Sequence, residues 1–245
     1  MATDEGKRVA KPQARLCGLL YLIVIAAGVF TEYFVLAHLI VRGDPGATLH
    51  NILTAQDLYR AGFIANLSDY SIYVAVTLLL FELMSPVDRR LSAAAAVYSV
   101  VGSAIMGAAA IAYMAPLLVG SDHAMASTLD ATQLNSVVFI ALKLRAYAYL
   151  IGLAFFGIHM VLVGALIARS TFLPRLVGVL LAAGGLCYLA NSTLTALRPD
   201  IAAQISTYLL MPSVASETVL ALWLLVAGVD HARWCAAQVT AGERS

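Results

Sequence analysis

Charge is scarce in this chain of 245 residues, where Asp, Glu, Lys and Arg together make up 12%. A soluble domain carries about a quarter, because its surface has to stay wet. Hydrophobic residues make up 61%, so there is too little polar surface to cover a globule, and lipid must cover the rest. The formal net charge of +1 excludes the concentrated basic face that a nucleic-acid partner requires. Cysteine is nearly absent, and Cys17, Cys187 and Cys235 form no C-x-x-C pair and imply no disulfide framework. Also missing are a P-loop, a dinucleotide fingerprint and a nucleophile elbow. No metal or cofactor is expected. His38 and His159 lie at different depths and cannot share a haem iron. His38, His50 and His123, near Asp44 or Asp122, lack ligand spacing and read as solvated loop residues.

Long apolar runs are what the chain has in quantity. A spanning helix needs about 20 such residues, and the segments Leu16–Val41, Phe63–Met84, Leu91–Val119, Val137–Ala168, Leu176–Leu197 and Val214–Val229 qualify. The expected fold is all-α, an integral membrane bundle of six transmembrane helices with short interfacial helices on the outer side. Residues 1–14 read as a disordered cytoplasmic tail, 15–231 as the transmembrane domain and 232–245 as a cytoplasmic C-terminal tail. The first run is too long for a signal-peptide core and lacks an A-x-A exit, so it reads as a retained span. Cytoplasmic flanks carry the excess of Lys and Arg. Lys7, Arg8, Lys11 and Arg15, the pair Arg89–Arg90, Arg169 with Arg175, and Arg233 with Arg244 therefore mark the inner side and place both termini there. On the outer side, Thr54 and Asp57 have capping-box spacing and are expected to start the second helix early. Ile201, Ile205, Tyr208 and Leu209 form one apolar stripe, expected as a short helix lying in the interface. Helix packing in lipid relies on small residues, which Gly102, Gly107, Gly152, Gly157, Gly178, Gly184 and Gly185 supply.

Depth follows from a rise of about 1.5 Å per residue across a core of about 30 Å. Counted from the inner ends, Glu32 lies about 5 Å below the outer boundary, Asp69 and Asn191 at a similar height, and Glu217 about 10 Å down. Gly62, Asn66, Asp69, Tyr73 and Thr77 share one stripe of the second helix; Gly184, Tyr188, Asn191 and Thr195 share one of the fifth. Polar stripes inside spans face protein or water. The expected binding site is therefore Glu32, Asn66, Asp69, Tyr73, Asn191 and Glu217, with Lys143 roofing the acids. The plainer alternative lets Asp69 and Glu217 simply reach interfacial water. Glu32 leans inward and most needs a partner. Lys143 and Arg145 are two residues apart, so at most one looks into the bundle, and both read first as anchors snorkelling to the interface. His159 reads as a packed histidine bonded to a neighbouring helix.

Five ordered stretches resemble the bacterial multi-pass membrane family Domain of unknown function (DUF4386). They are R-L-C-G-L-L-Y-L-I from Arg15, G-D-P-G-A-T-L-H-N-I from Gly43, L-Y-R-A-G from Leu58, S-T-F-L-P-R-L-V-G-V-L-L-A from Ser170 and E-T-V-L-A-L-W-L-L-V-A-G-V from Glu217. The resemblance implies six or seven spans in the bacterial cytoplasmic membrane, with no established activity; Lys143 and Arg145 are not part of the family's pattern. Three functional readings follow. One is binding or transport of a small lipophilic or polar ligand through a polar cavity in the outer half of the bundle. A second is an intramembrane enzyme using a protonated Glu32 or Glu217 on an isoprenoid-like substrate, with tyrosines such as Tyr70, Tyr73 and Tyr149 lining the pocket or forming the aromatic belt. The third is a structural subunit that packs a partner on the alanine-rich third span.

Overall fold

The computed structural model describes residues 6–121 and 128–242. Residues 1–5, at the start of the expected tail, and Asp122 and His123 lie outside the described residues. Among the described residues there is no strand. Helix α1 covers Gly6–Val29 and continues as a π-helical stretch, Phe30–Leu36, and one last α turn, Ala37–Leu39. Then come α2 (Pro45–Thr54), α3 (Gln56–Met84), α4 (Arg89–Ser121), α5 (Ala131–Arg169), α6 (Arg175–Leu197), α7 (Pro199–Val226) and α8 (His231–Gly242). Among the described residues, six helices are long and apolar enough to cross a membrane: Lys11–Leu39, Gln56–Met84, Arg89–Ser121, Ala131–Arg169, Arg175–Leu197 and Pro199–Val226.

Several local expectations change. Helix α1 starts at Gly6 and α8 occupies most of the C-terminal stretch, so residues read as tails from sequence are largely helical. Helix α8 is tied down by Trp234, whose indole N–H donates to the Leu83 carbonyl at 3.1 Å. Thr54 caps nothing. It closes α2, and its hydroxyl donates back to the His50 carbonyl at 2.8 Å. The cap of α2 is Asp44, which accepts from the Ala47 N–H at 2.8 Å and precedes Pro45 in the first turn, where a missing N–H costs nothing. The stripe from Ile201 to Leu209 is not a separate interfacial helix but the first part of α7, which runs straight through Pro212. Beside that proline the Ser213 hydroxyl bonds a neighbouring helix, donating to the Gly184 carbonyl at 2.7 Å.

The chain divides into two compact units. The first comprises Met1–Ile23, Ile72–Ser103 and Ile151–Ser245. Its helices approach through glycine. A Cβ on Gly185 would stand 2.6 Å from the Gly157 carbonyl oxygen, and one on Gly178 would stand 2.6 Å from that of Gly164. The glycines lie seven residues apart on each of α5 and α6, so two turns on each helix repeat the same contact. Gly18 does likewise against the Ala221 carbonyl, at 2.5 Å. Gly18 follows Arg15-Leu-Cys and Gly178 follows Arg175-Leu-Val, so two similar tetrapeptides each end on a close helix contact. Gly185→Ala is expected to cost about 2 kcal/mol, the usual scale for overpacking, as an earlier midpoint in mixed-micelle unfolding. Gly107→Ala, where nothing lies within 4 Å of the new methyl, should leave the midpoint in place.

The second unit comprises Val24–Ser71 and Ala104–Leu150. Its core is Val35, Leu36, Leu39, Ile52, Tyr59, Tyr113 and Leu117. Tyr59 and Tyr113 stack with centroids 4.4 Å apart, and each hydroxyl donates to the other residue's carbonyl, Tyr113 to Tyr59 at 3.0 Å. Gly62 lets the π-helical stretch come close: an added Cβ would lie 2.9 Å from Val35. The Thr31 hydroxyl donates to the Gly62 carbonyl at 3.2 Å.

Candidate functional site

The residues singled out by depth fall into both units, and each unit builds its own polar centre. Glu32, Asn66, Asp69 and Lys143 belong to the second; Tyr73, Asn191 and Glu217 belong to the first.

In the second unit Glu32 lies on the π-helical stretch, where its own carbonyl accepts from the Ala37 N–H. π-helical turns inside α-helices recur at functional sites. Here the Glu32 carboxylate accepts a hydrogen bond from Nη2 of Arg145. The Arg145 side chain is 10% exposed and that of Glu32 27% exposed. The guanidinium also sits over two rings, Tyr113 at 5.7 Å and Tyr149 at 5.8 Å, a favourable placement for a desolvated cation. The base that meets the acid is therefore Arg145, not Lys143. Lys143 is exposed, with its ammonium 5.4 Å from the Phe139 ring, and does not roof the acids. The reading of Arg145 as a snorkelling anchor is corrected too. Its acid and its rings lie inside the unit, and they hold the cation where interfacial water would otherwise have drawn it.

Asn66, Tyr70 and Tyr149 join Arg145 around a crevice whose remaining wall is Met106, Ala109 and Ala110. Its walls stand too close to admit a water molecule. Glu32 engages one guanidinium nitrogen, while the group carries five N–H donors in a fixed fork. Asp69 is half-buried on α3, which also carries Asn66 and Tyr70, and its Oδ2 lies near Gly28.

In the first unit Glu217 is 8% exposed, and nine residues separate it from Val226, the end of α7, which is about 13.5 Å along the axis. One carboxyl oxygen accepts from the Tyr21 hydroxyl at 2.9 Å and the other from Tyr188 at 3.0 Å. The Tyr21 hydroxyl also lies 3.2 Å from that of Tyr73, and the two rings meet edge-on with centroids 5.5 Å apart. No cation pairs with Glu217 among the described residues. Asn191 is buried one turn beyond Tyr188, and its side-chain Oδ1 makes no hydrogen bond among the described residues. His159 packs as expected, 2% exposed, with Nδ1 2.9 Å from the Ala95 carbonyl.

Sequence reasoning did not assign Tyr21 to this centre. The signal for it was a 3-4-3 stripe on the first span, Ala14, Cys17, Tyr21 and Val24, which carries one phenol among apolar residues, and all four are buried. Arg145 was set aside because composition alone does not reveal how a helix is rotated about its axis.

These features define a multi-pass helical membrane protein with ionisable groups held inside its helices. The chain belongs to the family Domain of unknown function (DUF4386), whose model matches residues 16–228. No curated protein and no solved structure matches the chain.

Proposed function

We propose that the protein resides in the bacterial cytoplasmic membrane with both termini in the cytoplasm and binds a small molecule in the outer half of its helices, at the Arg145 crevice. The observation that carries this reading is the buried guanidinium, which meets Glu32 through one nitrogen and forms part of the crevice wall. Ionisable groups inside spans are costly and are retained where they handle a ligand or an ion. Arg145, Asn66 and the phenols of Tyr70 and Tyr149 suit an acceptor group such as a carboxylate or carbonyl; Met106 and the alanines suit an apolar body. The crevice is narrow, so entry requires the walls to part, and Met106 is the most adaptable wall residue.

The enzymatic alternative asks Glu32 or Glu217 to donate a proton to a lipophilic substrate. Glu32 instead accepts from Arg145, and both oxygens of Glu217 accept from phenols, so the arrangement favours binding over acid catalysis. Native mass spectrometry of protein extracted in membrane patches tests the reading. A molecule of defined mass should accompany the wild type and be at least tenfold depleted in Arg145→Lys, which keeps the charge on Glu32 but loses the planar fork. Equal retention by both proteins would sink the idea.

A further inference from the structure

Apart from the Arg145 centre, the first unit carries a crevice of about 1030 Å³ that the reading above does not use. Three stretches distant in sequence wall it: the α3–α4 connection with the start of α4, the end of α5 with the residues after it, and α8. Hydrogen bonds fix these stretches to one another. Arg233 donates to the Thr171 carbonyl at 3.1 Å and pairs with Asp230 at 3.3 Å, and the Asp230 N–H donates to the Phe172 carbonyl at 3.2 Å. Trp234 reaches Leu83, and the Ser92 hydroxyl reaches the Phe81 carbonyl at 3.0 Å.

Into this crevice come Arg89, Arg90, Arg169 and Arg233, against a single acid, Asp88. Asp88 is already engaged, accepting the Leu91 N–H at 3.0 Å. Arg89, Arg90 and Arg169 are exposed, and their guanidinium groups make no hydrogen bond or ion pair among the described residues. The bias of cytoplasmic connections toward basic residues accounts for arginines on this side. It does not account for four of them, from three separate stretches, lining one concavity of ligand-binding size.

We propose that this crevice binds a phosphate-bearing anion, with Arg89, Arg90 and Arg169 as its ligands and Arg233 as a fixed wall. The guanidinium fork matches phosphate oxygens two at a time, and such charge-assisted bonds are the strong ones. Both a phospholipid headgroup and a soluble phosphate ester present that chemistry.

The test uses the full chain. In micelles it is titrated calorimetrically with inorganic pyrophosphate. In nanodiscs of phosphatidylcholine with and without cardiolipin, retained lipid is read by native mass spectrometry. Saturable binding is expected in at least one arm. Pyrophosphate binding identifies a soluble phosphate ligand, and cardiolipin retention alone identifies a headgroup. Binding should weaken about tenfold in Arg169→Gln and in the Arg89→Gln, Arg90→Gln double variant, on the scale of a lost charge-assisted contact. Arg175→Gln, which removes the same charge from outside the crevice, should stay within about twofold, since a screened surface charge acts weakly at a distance. Arg169→Lys keeps the charge and guards against a folding defect, with an intermediate loss expected and monodisperse elution as the check. Absence of saturable binding in both arms would overturn the proposal, as would a loss in Arg175→Gln equal to that in Arg169→Gln.

Discussion

Arg145→Met is expected to lower stability by about 3–4 kcal/mol, within the range for stripping one partner from a buried ion pair. The low end of that range applies because the Glu32 side chain keeps 27% exposure and regains some water once the cation has gone. Most of the loss comes from the carboxylate left behind rather than from the missing attraction. Adding Glu32→Gln to Arg145→Met should therefore recover about 2 kcal/mol, since the double variant buries no unpaired charge. The measurement is a double-mutant cycle in mixed micelles, followed by the unfolding midpoint. Additive losses would show that the two side chains do not interact. Lys143→Met belongs in the same experiment as the comparison: its ammonium is exposed beside Phe139, and its removal should shift the midpoint by less than about 0.5 kcal/mol.

Glu217→Leu is expected to cost about 3 kcal/mol, because it removes from a buried site the acceptor that the Tyr21 and Tyr188 hydroxyls share, each lost bond being on the scale of about 1–3 kcal/mol. Tyr21 retains its neighbour Tyr73, which holds the total below the sum of two full penalties. Glu217→Gln keeps one carbonyl acceptor and offers an amide to the other phenol, so its cost should stay under about 1 kcal/mol, the usual scale of a hydrogen bond between membrane helices. The two variants separate a role in hydrogen bonding from a role that needs ionisation. If Gln is tolerated in stability and the native-membrane adduct is unaffected, Glu217 serves the packing of α1, α6 and α7. Equal losses for Leu and Gln would show instead that the carboxyl itself is required.

How far the sequence led depends on which physical quantity was at stake. Hydrophobic length is a property of each segment alone, so the six spans could be found by counting, and so could the glycines of α5 and α6, whose small size serves any close neighbour. Glu32 stood out in the sequence as the acid most in need of a partner, and it has one in Arg145. Rotation about the helix axis was not legible. Lys143 and Arg145 are two positions apart, and only the packing of Tyr113 and Tyr149 decides that the second points inward. The early start read from the capping spacing at Thr54 holds, since α3 begins at Gln56, but Thr54 itself closes α2 and is not the cap. The separate interfacial helix expected over 201–209 merges into α7, which stays continuous past Pro212 beside Ser213, because a local stripe does not say where its helix ends.

The π-helical stretch from Phe30 to Leu36 works as a phase shifter. Up to Val29 the first span follows an α-helical rhythm of about 100° per residue. The wider turn then lags that rhythm before Ala37 resumes it. Val35, Leu36 and Leu39 lock into the core of their unit, while Glu32, inside the lag, is set to meet Arg145. Deleting one residue between Glu32 and Val35 would bring the span back into step and force a choice. Either the apolar anchors keep their seat and the carboxylate swings off the guanidinium, or the ion pair holds and the anchors turn toward lipid. The extra residue lets one helix satisfy both demands at once.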